Sequence, residues 1–121
     1  MDKIKTNKQQ SRRDDMFHFL MRENSKSIHV NDMDSLLGNV EIIDIREPYE
    51  YKGGSLRTAK NIPMGELLMN PEKYLLKDKK YYIMCQSGGR SRNACKALEK
   101  QGYDVINVSG GMGAYVGTKR N

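Results

Sequence analysis

The chain has 121 residues, of which 37% are hydrophobic and 30% charged, and carries a formal net charge of +6. That length suits one domain with a single ordinary core, and no apolar run approaches the roughly 20 residues a bilayer-spanning helix needs. The basic surplus forms no stripe interleaved with aromatics and no nucleic-acid-binding motif, so it reads as solvated surface, with neither nucleic acid nor membrane as an expected partner.

Two cysteines, Cys85 and Cys95, are too few for a disulfide scaffold and lack zinc-ligand spacing with the two histidines. Reduced thiols in a cytoplasm, with no metal and no cofactor, are the expectation. The apolar run Met16–Met21 is too short and too polar-flanked for a secretory signal.

Residues 1–27 hold seven Lys/Arg against four Asp/Glu and form a basic extension. Their first dozen are expected to be disordered, and Asp14-Asp15 to start a short helix. His18 within it has no site-like neighbours and is given no catalytic role. The domain proper is expected over residues 28–121.

Ile28-His29-Val30 reads as a short strand, with His29 facing away from the core, and Asn31 as the cap of a helix closed by Gly38. Val40-Glu41-Ile42-Ile43-Asp44-Ile45 is β-branched and almost continuously apolar, as suits a parallel strand covered on both faces. A helix follows whose first turn tolerates Pro48 and which Gly53-Gly54 end. Ala59–Pro63 reads as extended, and Met64–Leu76 as one or two short helices with a restart at Pro71. Met64, Met69 and Met84 are expected to fill gaps in the core.

Tyr81–Met84 is the next strand, followed by a loop that begins with Cys85 and contains Gly88 and Gly89. Ala94, Cys95, Ala97 and Leu98 mark the buried side of the helix after it, and Gly102 stops that helix. Val105–Val108 is a last strand, leading through Gly110-Gly111 into a short helix. Strands alternating with helices predict an α/β domain with a parallel sheet of about five strands and helices on both faces. Ligands of such sheets bind beyond the carboxyl ends of the strands, where Cys85 falls. A thiol there, beside a helix N-terminus, is set to be acidic and nucleophilic. The alternative for Cys85 is an ordinary core cysteine, against which two glycines and an arginine follow it. Cys95 shares the apolar helix face and reads as core. Asp44 and Arg46 read as a buried ion pair or turn-fixing set.

Three segments together resemble the rhodanese family of single-domain sulfurtransferases. They are Ile43-Asp44-Ile45-Arg46-Glu47-Pro48-Tyr49-Glu50-Tyr51, then Cys85-Gln86-Ser87-Gly88-Gly89-Arg90-Ser91, and the hydrophobic strand and Gly-Gly turn of Val105–Tyr115. The sequence departs from that pattern at Gly54-Ser55-Leu56-Arg57-Thr58-Ala59, where the family's histidine is absent and no structural hydrogen bond is expected. It also has Tyr115 where tryptophan is common, a change read as packing.

The resemblance implies a rhodanese-like domain in which Cys85 attacks the outer sulfur of thiosulfate or a persulfide and then passes it to cyanide or a thiol. The partners implied are a small sulfur-containing anion, such an acceptor, and possibly a protein sulfur donor or acceptor. Backbone N–H groups of Gln86, Ser87, Gly88, Gly89, Arg90 and Ser91 would cradle the persulfide, and the planar fork of Arg90 would hold an anionic donor. Asp44 and Arg46 would support the loop, and Arg92 would be a solvated charge. Cysteine phosphatases and arsenate reductases on related folds place arginine six positions after cysteine; here it is the fifth, and the sixth is Ser91. A non-enzymatic persulfide-carrying or protein-docking module remains the other alternative.

Overall fold

Two strands with apolar residues on both faces sit near the centre of one parallel sheet. In the computed structural model, which describes residues 26–121, they are β2 (Glu41–Asp44) and β4 (Lys80–Met84). With β1 (Ser27–His29), β3 (Lys60–Asn61) and β5 (Asp104–Ser109) they form a five-stranded sheet in the order β1-β5-β4-β2-β3. Every pairing is parallel, with Ile43 opposite Ile83 and Ile83 opposite Asn107. β1 begins at Ser27, one residue before the expected domain start, and the Lys26 carbonyl accepts the Asn107 N–H. The short helix expected near Asp14, and His18 with it, lie outside the described residues.

The two-residue period of the strands divides the core between the faces. Ile43, Tyr81, Ile83 and Val105 join one apolar cluster; Ile42, Met84 and Val108 join the other. Over the first face lie α2 (Met64–Met69), α3 (Pro71–Tyr74) and α4 (Gly89–Lys100). Helix α4 buries Ser91, Ala94, Cys95 and Leu98, one stripe at helical spacing, while Ala97 is only half-buried. Over the second face lie Val30, Met33, Leu56 and Tyr115, together with α5 (Gly111–Ala114). The expected arrangement, one α/β domain with both faces of a parallel sheet covered, is the one observed.

Three local expectations need correction. The segment after β1 is not an α-helix capped by Asn31 but two 3-10 turns, Val30–Asp32 and Asp34–Leu36. The His29 ring caps the first, its Nδ1 accepting the Asn31 N–H at 3.1 Å. The Asn31 side chain is used elsewhere: Nδ2 donates to the Ala114 carbonyl and Oδ1 accepts the Val116 N–H. Met69 is 79% exposed and fills no core gap, unlike buried Met84. Tyr115 does more than pack, since its hydroxyl donates to Asp34 Oδ1 at 2.7 Å and accepts the Lys119 N–H at 2.9 Å.

The helix α1 (Pro48–Lys52) starts with a reciprocal capping box between Glu47 and Glu50 and ends at Gly53. At the far end of the chain, Lys119 and Asn121 bond to Arg57 and Ser55 through their backbones.

Among the described glycines, the one in the turn joining β5 to α5 has the tightest backbone approach. Gly111 has φ +59, and a Cβ there would fall 2.5 Å from the carbonyl carbon of Gln86. Left-handed strain alone costs about 1–3 kcal/mol for a residue other than glycine. Gly111→Ala is therefore expected to lower unfolding stability by about 2 kcal/mol or more, read from urea denaturation; unchanged stability would show that the turn shifts freely.

Candidate active site

Cys85 is the first residue after β4, and α4 begins at Gly89. The four residues between strand and helix bring its sulfur beneath the helix N-terminus, where free N–H groups and the helix dipole favour negative charge. Gly88 makes the turn possible with φ +100. Its N–H donates to Cys85 Sγ at 3.1 Å and that of Ser91 at 3.4 Å. The Ser91 hydroxyl lies 3.4 Å from the same sulfur. Cys85 itself is 0% exposed. Burial pushes its thiol pKa up, but the Ser91 hydroxyl and the backbone N–H groups of Ser91, Gly88 and Ser87 outweigh it, so the net shift is downward.

The loop is held from two sides. From α5, the Met112 N–H donates to the Cys85 carbonyl at 3.0 Å and the Gly113 N–H to the Gln86 carbonyl at 2.8 Å. The Ser91 hydroxyl is also in short hydrogen-bond contact with the buried Asn107 side chain and lies 3.2 Å from the Gly88 carbonyl. From β2, Arg46 donates to Gln86 Oε1 at 3.0 Å and to the Gly54 carbonyl at 2.6 Å. Its Nη2 also meets Asp44 Oδ2 at 2.8 Å. Asp44 and Arg46 thus form the buried, turn-fixing ion pair their sequence context predicts.

Ser55 revises the expectation that no structural bond is made where the histidine is missing. Its hydroxyl donates to Asp44 Oδ2 at 2.7 Å, both residues being buried.

The remaining loop residues divide by role. Gln86 and Ser87 are exposed, and Gly89 opens α4. The Arg90 guanidinium pairs with Glu50: Nη1 and Nη2 donate to Glu50 Oε1 and Oε2, each at 3.0 Å. That pairing pulls the Glu50 carboxyl down to about 2 and raises Arg90. Arg92 is exposed, and Cys95 is buried, with burial pushing its thiol up to about 12. Both cysteines are free thiols. Among the described residues no three His, Cys, Asp or Glu side chains cluster as a metal site.

Glu50 and Asn107 belong to the site, yet neither stood out as a site residue in the sequence. Asn107 carried a signal: a polar amide inside Val105-Ile106-Asn107-Val108 must find a buried partner. Glu50 carried none beyond its place in the first motif, because an ion pair 40 residues long in sequence is set by the sheet order.

Two expectations follow. Alkylation of Cys85 by iodoacetamide, followed by peptide mass spectrometry, should rise with pH around a midpoint below that of an ordinary thiol, and Ser91→Ala should move the midpoint up; Cys95 should stay unmodified at neutral pH. Ser55→Ala leaves the buried Asp44 carboxylate short of a donor and should cost about 1–3 kcal/mol in chemical denaturation.

A profile of the family described as "Rhodanese-like domain" matches residues 29–118. The Bacillus subtilis (strain 168) protein named "Putative sulfurtransferase YtwF" is 46% identical over 78 residues, covering 63% of this chain and 73% of that protein. Another from the same organism, "Putative sulfur carrier protein YrkF", is 33% identical over 113 residues, covering 83% of this chain and 60% of that protein. A solved rhodanese-like domain protein from Staphylococcus aureus superposes with a TM-score of 0.70 at 33% identity, covering 78% of this chain and 95% of that one. Sheet order, loop and matched residues agree: the chain belongs to the rhodanese-like domain family.

Proposed function

We propose that the protein is a sulfurtransferase that carries a sulfane sulfur on Cys85. The supporting observation is the sulfur's setting: Cys85 Sγ accepts two backbone N–H bonds at the head of α4, inside a loop whose arginine comes at the fifth position after the cysteine. The Cys85 thiolate attacks the outer sulfur of a donor, thiosulfate or a persulfide. A new S–S bond forms as the donor's S–S bond breaks, and sulfite or a thiolate leaves with the electron pair. The Cys85 persulfide is then attacked at its terminal sulfur by cyanide or a thiol, which takes that sulfur and returns Cys85 as thiolate. No oxidant is consumed, and two separated half-reactions give ping-pong kinetics.

The loop's N–H groups stabilise negative charge on the bound sulfur in each half-reaction. Gln86, Ser87 and Gly89 line the cradle by their backbone in this reading, with Gly88 and Ser91 nearest the sulfur. Asp44, Arg46 and Asn107 are positioning residues that act through Gln86 and Ser91. A reducing cytoplasm, where thiol acceptors abound, belongs to the same reading.

Similarity to a protein named as a sulfur carrier favours one second reading, in which Cys85 is loaded and delivers its sulfur only to a partner protein. Intact-mass measurement separates the possibilities. Wild type treated with thiosulfate or glutathione persulfide should gain one sulfur, and Cys85→Ser none. Subsequent cyanide or thiol should remove the sulfur and allow repeated turnover if the protein is an enzyme, and should leave the sulfur in place if it delivers only to a partner protein. Absence of any gain from either donor would defeat both readings.

A further inference from the structure

The guanidinium nearest the reactive sulfur in sequence is already occupied. Both terminal nitrogens of Arg90 meet both oxygens of Glu50 at 3.0 Å, the geometry in which an arginine binds a carboxylate most strongly. Glu50 is fixed in turn, its Oε1 accepting the Glu47 N–H at 3.0 Å in the capping box of α1. Its side chain is 20% exposed and that of Arg90 40%, so the pair is part-buried. The site's other paired guanidinium, Arg46, is bound to Asp44, the Gly54 carbonyl and Gln86. With Cys85 as thiolate, the three anions Cys85, Glu50 and Asp44 face two cations, Arg46 and Arg90.

Thiosulfate brings a sulfonate one bond from the sulfur it donates, so its charge must enter the site and needs a free cation there. An organic persulfide is different, because the leaving sulfur is bonded to carbon and other charges on the molecule can stay in solvent. We infer that Glu50 is a specificity-determining residue which, by occupying Arg90, selects an organic persulfide over thiosulfate as sulfur donor. The inference rests on the sulfur-transfer reading above. In the step concerned, the Cys85 thiolate bonds to the outer sulfur of R–S–SH, the S–S bond breaks, and R–S⁻ leaves with its electron pair. The proton stays on the transferred sulfur and is lost to water. Tyr49, next to Glu50, is 77% exposed.

Because Arg90 holds the Glu50 carboxyl down to about 2, the pair stays charged at any pH used for assay. The Glu50→Gln variant removes the charge while keeping an acceptor for the Glu47 N–H. The measurement is the rate at which Cys85 gains sulfur, by mass spectrometry, from thiosulfate and from glutathione persulfide. Wild type should load faster from the persulfide. Glu50→Gln should speed loading from thiosulfate about tenfold, the effect of one freed charge next to the reacting group, and change persulfide loading far less. Adding Arg90→Gln should cancel that gain. Glu50→Ala removes the same charge and serves if the glutamine variant does not fold. Equal preference in wild type, or equal change for both donors in the variants, would overturn the inference while leaving sulfur transfer intact. Failure of every donor to load wild-type Cys85 would instead remove the sulfur-transfer reading itself.

Discussion

The buried pair of Asp44 and Arg46 is the interaction on which the rest of the site depends. Asp44 is 0% exposed, and a carboxylate taken that far from water is tolerated only when its oxygens are fully partnered. The partners come from three places: the Arg46 guanidinium and N–H, and the Ser55 hydroxyl. Arg46, once committed to Asp44, reaches the Gly54 carbonyl and the Gln86 side chain. One charge pair thereby joins the end of β2, the segment after α1 and the cysteine loop. Asn61, at the end of β3, closes the same corner by donating to the carbonyls of Asp44 and Arg46.

That corner lets the loop place two opposed effects on one sulfur. Enclosure by itself raises a thiol's pKa and makes it inert, as it does for Cys95. At Cys85 the enclosing atoms include hydrogen-bond donors, so the anion is stabilised while bulk water is kept away. The same chemical group therefore has opposite fates at positions ten residues apart. The difference lies in the helix: Cys85 precedes its N-terminus, where N–H groups are free, and Cys95 sits in its interior, where they are bonded.

Much of this was legible in the sequence where the signal was local. The continuous β-branched run of β2, Pro48 and Pro71 at helix starts, and the stripe of Ala94, Cys95 and Leu98 all act over a few residues. The loop was legible for the same reason, since a cysteine, two glycines and a helix start lie within seven positions. Errors arose where a side chain had a choice between local and distant partners. Asn31 is a good helix cap, yet its amide serves Ala114 and Val116, more than 80 residues away. Met69 has a core residue's chemistry but lies on the solvent side of a six-residue helix.

The sequence by itself determined the order of the elements, the parallel sheet covered on both faces, and the position of a cysteine at a strand's carboxyl end before a helix N-terminus. These follow from periodicity, backbone freedom and chain direction, which neighbouring residues decide. Only the tertiary structure decided which groups answer the charges at that cysteine. Arg90 meets Glu50 across 40 residues, Ser91 meets Asn107 across 16, and Ser55 meets Asp44 across 11. Such pairings depend on β2, β4 and β5 lying side by side in the sheet, and a charge in a sequence does not say which neighbour will neutralise it.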